Sequence, residues 1–172
     1  MDKENVNIGI IGLGFMAVMH IRAYRQVKGA NIAAICNPSG NRLNGDFSDV
    51  FGNLDSGDPV KLDMSQVKAF QSFQELLNDK SIDVIDICSP THTHVQLAKA
   101  ALASGKHVIC EKPLARTLED AMEIVSAAKN AKGKFMTAMC LRFWPQWAWL
   151  KKAVESNKYG KVLGAHFQRE SA

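Results

Sequence analysis

The stretch Val6-Asn7-Ile8-Gly9-Ile10-Ile11-Gly12-Leu13-Gly14-Phe15-Met16-Ala17 decides how the rest of the chain is read. A run rich in β-branched residues gives way at once to two closely spaced glycines. A helical pattern follows, with Met16, Met19, Ala23 and Val27 at turn-by-turn spacing. A strand that bends sharply into a helix favours a residue without a Cβ at the bend, and Gly12 supplies it. Gly14 lets a phosphate approach the backbone, and Ala17 is small enough for close helix–strand packing. The unpaired N–H groups at the helix start favour an anion. Gly12, Gly14, Phe15 and Met16 are therefore candidates for a cradle that seats a dinucleotide pyrophosphate.

Outward from this turn, short β-rich runs alternate with helical patterns. The runs are Ile32 to Ile35, Val67 to Phe70, Val84 to Ile87, His107 to Cys110 and Phe135 to Met139. Several are apolar throughout, as strands covered on both faces must be. The alternation predicts an α/β fold with a doubly wound parallel sheet, the architecture of NAD(P)-binding Rossmann domains. Leu118, Ala121, Met122, Val125 and Ala128 form a second helical stripe. Ser72 with Glu75, Thr93 with Gln96 and Thr117 with Asp120 fit capping boxes. Gly29, Gly105 and Gly133 fall where helices must stop, which predicts left-handed conformations there.

Two stretches depart from the rhythm. Residues 37–65 are rich in Gly, Pro, Asn and Asp, and read as a short helix around Arg42 to Phe51 followed by a surface loop. After Pro145 a helix to about Asn157 is expected, then a strand from Val162 to Glu170 with no obvious partner. The expected division is 1–143 for the dinucleotide-binding domain. Residues 144–172 would be the linking helix and first strand of an incomplete substrate or oligomerisation domain, which makes the chain the front part of something longer.

At 172 residues, 47% hydrophobic and 22% charged, the chain suits one well-buried domain, and its net charge of +4 is scattered. That distribution speaks against nucleic acid. No apolar run reaches membrane-spanning length, and the first residues lack a signal peptide's apolar core, so a cytoplasmic location without membrane contact is expected. Cys36, Cys88, Cys110 and Cys140 show no metal-binding spacing and read as reduced, buried thiols. No metal is expected, although His92 and His94 lie two apart.

Three further elements carry chemistry. After the second strand, a carboxylate would bond both ribose hydroxyls and repel a 2′-phosphate, but Asn37 stands there instead. Asn37, Ser39 and Arg42 leave NAD or NADP open, with a lean toward accepting NADP. Ser89-Pro90-Thr91-His92-Thr93-His94 follows the strand Val84 to Ile87, at the end of the sheet where ligands of open α/β folds bind. Glu111-Lys112-Pro113 follows the strand ending at Cys110. A Lys112 amine there can bond a substrate hydroxyl and help move its proton, with Glu111 orienting it and Pro113 stiffening the turn.

Taken in order, Gly12 to Ala17 with His20, Ser89-Pro90-Thr91 with His94, Glu111-Lys112-Pro113, Arg142-Phe143-Trp144-Pro145 and Tyr159-Gly160-Lys161-Val162 resemble the signature of the Gfo/Idh/MocA oxidoreductases. The resemblance covers nearly the whole chain. It implies a Rossmann domain followed by an α/β domain with a large, mainly antiparallel sheet, and NAD or NADP as cofactor. It further implies a small-molecule sugar or polyol substrate and a homo-oligomer at full length. Lys112 inherits the catalytic role. Gly12, Gly14, Phe15 and Met16 fall on the pyrophosphate loop, while Ser89, Pro90, Thr91, His94 and Glu111 fall on the cofactor's lining. Arg142 approaches the nicotinamide. The family's catalytic Asp and His belong to the second domain and have no counterpart in these residues, so turnover by this chain alone is not expected. The alternative is a dinucleotide-sensing regulator of the same fold.

Overall fold

In the computed structural model, residues 5–51, 58–168 and 170 are described. The chain divides into two compact units, Met1–Ala138 and Met139–Ala172. The first unit runs β1 (Val6–Ile11), α1 (Phe15–Tyr24), β2 (Ala30–Cys36), β3 (Lys68–Phe70), α2 (Phe73–Asn78), β4 (Val84–Ile87), α3 (His94–Ala103), β5 (His107–Glu111), α4 (Leu118–Asn130) and β6 (Phe135–Ala138). Its six strands form one sheet in the order β3-β2-β1-β4-β5-β6, and every pairing is parallel. The expected doubly wound architecture is what forms. The direction of winding reverses between β1 and β4, the place where such sheets open a crevice.

Side-chain alternation sorts the strands onto two cores. Ile11, Ala34, Cys36, Ile85, Ile87, Val108 and Cys110 pack with residues of α2, α3 and α4, including Leu76, Ala98 and Ile124. Ile8, Ile10 and Ile35 point the other way, onto Ala17, Val18 and Ile21 of α1 and onto Phe47 and Val60. Ile10, Ile35 and Ile85 are fully buried. Side chains of this size contribute about 1.5–3 kcal/mol each. The same alternation matters for the site, because Asp86 lies between Ile85 and Ile87 and so faces α1.

Several local expectations are corrected. On α1 the buried face is Ala17, Val18 and Ile21 rather than the Met16–Met19–Ala23 stripe, and Val27 lies beyond the helix. On α4, Leu118, Met122 and Val125 are exposed, and the helix packs through Ile124 with Ala127 and Ala128. Small residues let α4 approach its neighbours closely. Ser72 and Thr117 cap as expected, accepting from the Glu75 and Asp120 amides. Thr93 does not: its hydroxyl turns back to the Pro90 carbonyl, because a 3-10 turn over Thr91–Thr93 has already started the helix. Gly29 and Gly105 are left-handed, but Gly133 is not. A Cβ on Gly133 would collide with the Lys106 carbonyl, so the requirement there is space.

No helix forms over Arg42 to Phe51. Turns closed by Asn44 and Asp46 side chains compete with helical hydrogen bonds, and an antiparallel bridge joins Asp46 to Lys61. This seats Phe47 and Val60 in the core. Gly52 and Gly57 lie outside the described residues. Of the cysteines, Cys36 and Cys110 are buried but Cys140 is exposed. Among the described residues no helix is long and apolar enough to cross a membrane.

In the second unit, a 3-10 turn over Cys140–Phe143 precedes α5 (Pro145–Glu155), with Pro145 in the first turn as expected. Trp147 stacks near Phe167 and Trp149 near Tyr159. Val162 to Glu170 is not a strand among its described residues. A β-strand exists only by pairing with another, and none of the described strands pairs with it.

Candidate cofactor-binding site

At the end of β1 the backbone splits its hydrogen bonds between two neighbours. The Gly12 amide donates to Cys36 at the end of β2, while the Cys88 amide donates to Ile11. Gly12 has φ +86°, and a Cβ there would lie 2.6 Å from the Ser89 backbone. The fold alone therefore demands glycine at this position. Gly14 differs. Its φ is −95°, a value open to any residue, and nothing lies within 4 Å of where its Cβ would be. It caps α1 with an open space before the Phe15 and Met16 amides, so a pyrophosphate fits that cradle.

The loop after β4 packs directly against Gly12. Ser89 Oγ lies 2.6 Å from Thr93 Oγ1, and Pro90 is exposed above them, with Thr91 partly so. His94 is buried and spans two loops. Its Nε2 lies 2.9 Å from the Ser89 carbonyl, and its Nδ1 lies 3.1 Å from the Pro113 carbonyl. Through His94 the turn that carries Lys112 is tied to the turn that meets Gly12. The Lys112–Pro113 peptide is cis, and Lys112 is exposed. Among the described residues its amine makes no ion pair.

Beneath this rim lies a buried polar cluster on the α1 side of the sheet. Asp86 in mid-strand is fully buried, and its Oδ2 accepts from the Tyr24 hydroxyl at 2.8 Å. His20 Nδ1 lies 2.8 Å from the same oxygen, and His20 Nε2 lies 3.0 Å from Glu111 Oε1. The other Glu111 oxygen accepts the Lys112 amide at 2.9 Å. Burial lowers the His20 pKa, but hydrogen bonds and charge from Asp86 and then Glu111 outweigh it, so the net shift is upward. Burial and the Asp86 charge push the Tyr24 phenol and the Cys88 thiol up, so both stay neutral. His20 Nδ1, Asp86 and Cys88 Sγ lie within 4.8 Å of one another. The 2.8 Å between nitrogen and oxygen is a hydrogen bond's separation. Two ligands of a tetrahedral zinc would stand about 3.3 Å apart.

On the other side of β1, the expected ribose-binding residues are engaged with the protein. Asn37 donates to the Asn41 carbonyl, and Ser39 accepts from the Asn41 amide. Arg42, itself left-handed, forms a two-pronged pair with Asp49 and reaches the Leu13 carbonyl inside the glycine turn. The Gly12, Ser89, His94 and Glu111–Lys112 turns are thus brought together, and Arg42 touches the same turn from the β2 side. Arg142 is exposed in the second unit.

Residues 6–139 match the family described as an oxidoreductase family with an NAD-binding Rossmann fold. The chain belongs to the Gfo/Idh/MocA oxidoreductases. It is 32% identical to a levoglucosan dehydrogenase of Pseudarthrobacter phenanthrenivorans, over 98% of this chain and 43% of the relative. It is 31% identical to a myo-inositol 2-dehydrogenase of Thermotoga maritima, over 91% of this chain and 42% of the relative. Among solved structures, an Agrobacterium radiobacter oxidoreductase in complex with NAD+, L-tartaric acid and magnesium superposes with a TM-score of 0.74 at 29% identity. That match covers 91% of this chain and 42% of the other. The chain spans less than half the length of these relatives.

Within the Gfo/Idh/MocA frame, NAD is the family's cofactor, and the open Gly14 cradle suits it. Sequence reasoning missed Asp86 and Tyr24 and gave His20 no role of its own. The signal was present. An acid inside the apolar run Val84-Ile85-Asp86-Ile87 must find a buried partner, and His20 and Tyr24 stand one helical turn apart on the helix that faces it.

Proposed function

We propose that this chain is the cofactor-holding part of an NAD-dependent dehydrogenase that moves hydride between the nicotinamide and a CH–OH carbon of a sugar or polyol. The observation that carries this reading is the contrast within one turn: Gly12 is required by the fold, whereas Gly14 leaves a space the fold does not use. That space opens before the amide-bearing end of α1, and the Lys112 turn follows β5 at the same end of the parallel sheet. When bound, NAD supplies the hydride acceptor. The chain's own residues bind and orient. The Phe15 and Met16 amides hold the pyrophosphate, and the loop of Ser89, Pro90 and Thr91 lines the nicotinamide side. His94 fixes that loop against the Lys112 turn. The Lys112 ammonium would donate a hydrogen bond to the substrate oxygen and stabilise the negative charge that develops there, while a base outside these residues takes the hydroxyl proton as hydride passes to the cofactor.

Asn37, Ser39 and Arg42 would border the ribose, and Arg142 would approach the nicotinamide from the segment after residue 138. The remaining acid–base groups and the sugar specificity would belong to parts of the protein outside these residues. A homo-oligomer of the full-length protein is part of the same reading.

Gly14→Trp tests the proposal. It fills open space, so the fold should be unchanged by circular dichroism. NADH affinity should fall at least about tenfold, or roughly 1.4 kcal/mol. Unchanged NADH and NADPH binding would remove the basis of the reading.

A further inference from the structure

His20 lies beneath the cradle rather than in it, and both of its ring nitrogens face carboxyl oxygens. Its connections form a line across three elements: Asp86 on β4, His20 on α1, and Glu111 at the end of β5, whose second oxygen takes the Lys112 amide. We propose that His20 is a positioning residue for Lys112: as an imidazolium it ties Asp86 to Glu111, and Glu111, held this way, fixes the Lys112 backbone and the direction in which its amine leaves the sheet. This rests on the proposed function only in taking Lys112 to face the cofactor.

A histidine kept only for packing needs a single neutral partner or none. Here a neutral ring would turn one lone pair toward a carboxyl oxygen, whereas the doubly protonated ring donates to both. Among the described residues, the groups facing His20 supply no other positive charge. From α1 comes the Tyr24 phenol, from β4 Asp86 and the Cys88 thiol, and from β5 Glu111. Burial and the Asp86 charge shift Tyr24 and Cys88 upward, so the thiol and the phenol are neutral. Loss of the His20 proton leaves two buried carboxyl groups bridged by a ring with a single N–H. One of the two contacts must then loosen, and the Glu111 contact is the one that reaches Lys112.

The test is a pH titration of the chain, without cofactor, by heteronuclear NMR. The His20 ring and the Lys112 amide are followed together, with the Ile10 and Ile85 amides as controls for the sheet. The Lys112 amide should shift with the same midpoint as the His20 ring, above the ordinary value of 6.5. In His20→Gln that movement should disappear while the Ile10 and Ile85 signals persist. The wild-type arm does not depend on any variant folding. A Lys112 amide that stays still while His20 titrates overturns the proposal, as does one that moves equally in His20→Gln. NADH binding is measured on the same samples. Failure to bind NADH with the coupling intact would remove the proposed function and leave this inference standing. Binding without the coupling would do the reverse.

Discussion

Beneath Lys112 the charged groups are buried and one histidine serves two carboxyl groups, whereas beyond β2 the charged groups lie at the surface and pair one to one. Asp86 is fully buried and Glu111 nearly so. Arg42–Asp49 and Lys61–Asp46 are open to water, with Asp49 and Lys61 each more than half exposed. A buried ion contact is held hard, because losing one member strands the other away from water. A surface pair is held weakly and rearranges at little cost. The end of the crevice assigned to proton movement is thus built rigidly, and the end that would meet the ribose is built to adapt.

The largest expected effect comes from breaking the buried side. Asp86→Ala removes the acceptor shared by His20 and Tyr24 and should destabilise the chain by about 3–5 kcal/mol, read from urea unfolding. A loss below about 1 kcal/mol would mean that this cluster is no more tightly held than a surface pair. The next effect sharpens the contrast through pH. Because the folded His20 value lies above 6.5, the protonated ring stabilises the fold below that value, and the contribution is lost as pH rises through the folded value. His20→Gln should therefore destabilise more at about pH 6 than at about pH 9, and an equal loss at both would contradict the charge assigned to the ring. The smallest effect belongs to the exposed side. Arg42→Ala should leave the unfolding midpoint within the scatter of the wild type and leave NADH binding close to unchanged. Any NADPH binding should weaken by about tenfold, read by fluorescence titration.

The sheet was legible because its signal is local. The β-branched runs at Val6 and Val84 announce strands with the bounds the structure has, and Gly12 announces the turn. What escaped depends on distant neighbours. Gly133 looks like a helix stop but is small because the Lys106 carbonyl passes over it. The apparent capping box at Thr93 fails because the chain enters α3 through a 3-10 turn. The apolar stripe read on α4 leaves Leu118, Met122 and Val125 exposed, because the helix is seated through Ile124 with the small Ala127 and Ala128. In the site, the glycine turn and Glu111-Lys112-Pro113 could be read directly. The Asp86–His20–Glu111 line could not, since its members lie 66 and 91 residues apart. Asp86 was nonetheless a visible anomaly within a core strand.

The most direct measurement is a crystal structure of the chain soaked with NADH. The diphosphate should lie within hydrogen-bonding reach of the Phe15 and Met16 amides, over Gly14, with the nicotinamide ring on the Ser89–Lys112 side of the crevice. A cofactor bound elsewhere at full occupancy, or a diphosphate seated away from the end of α1, would contradict it.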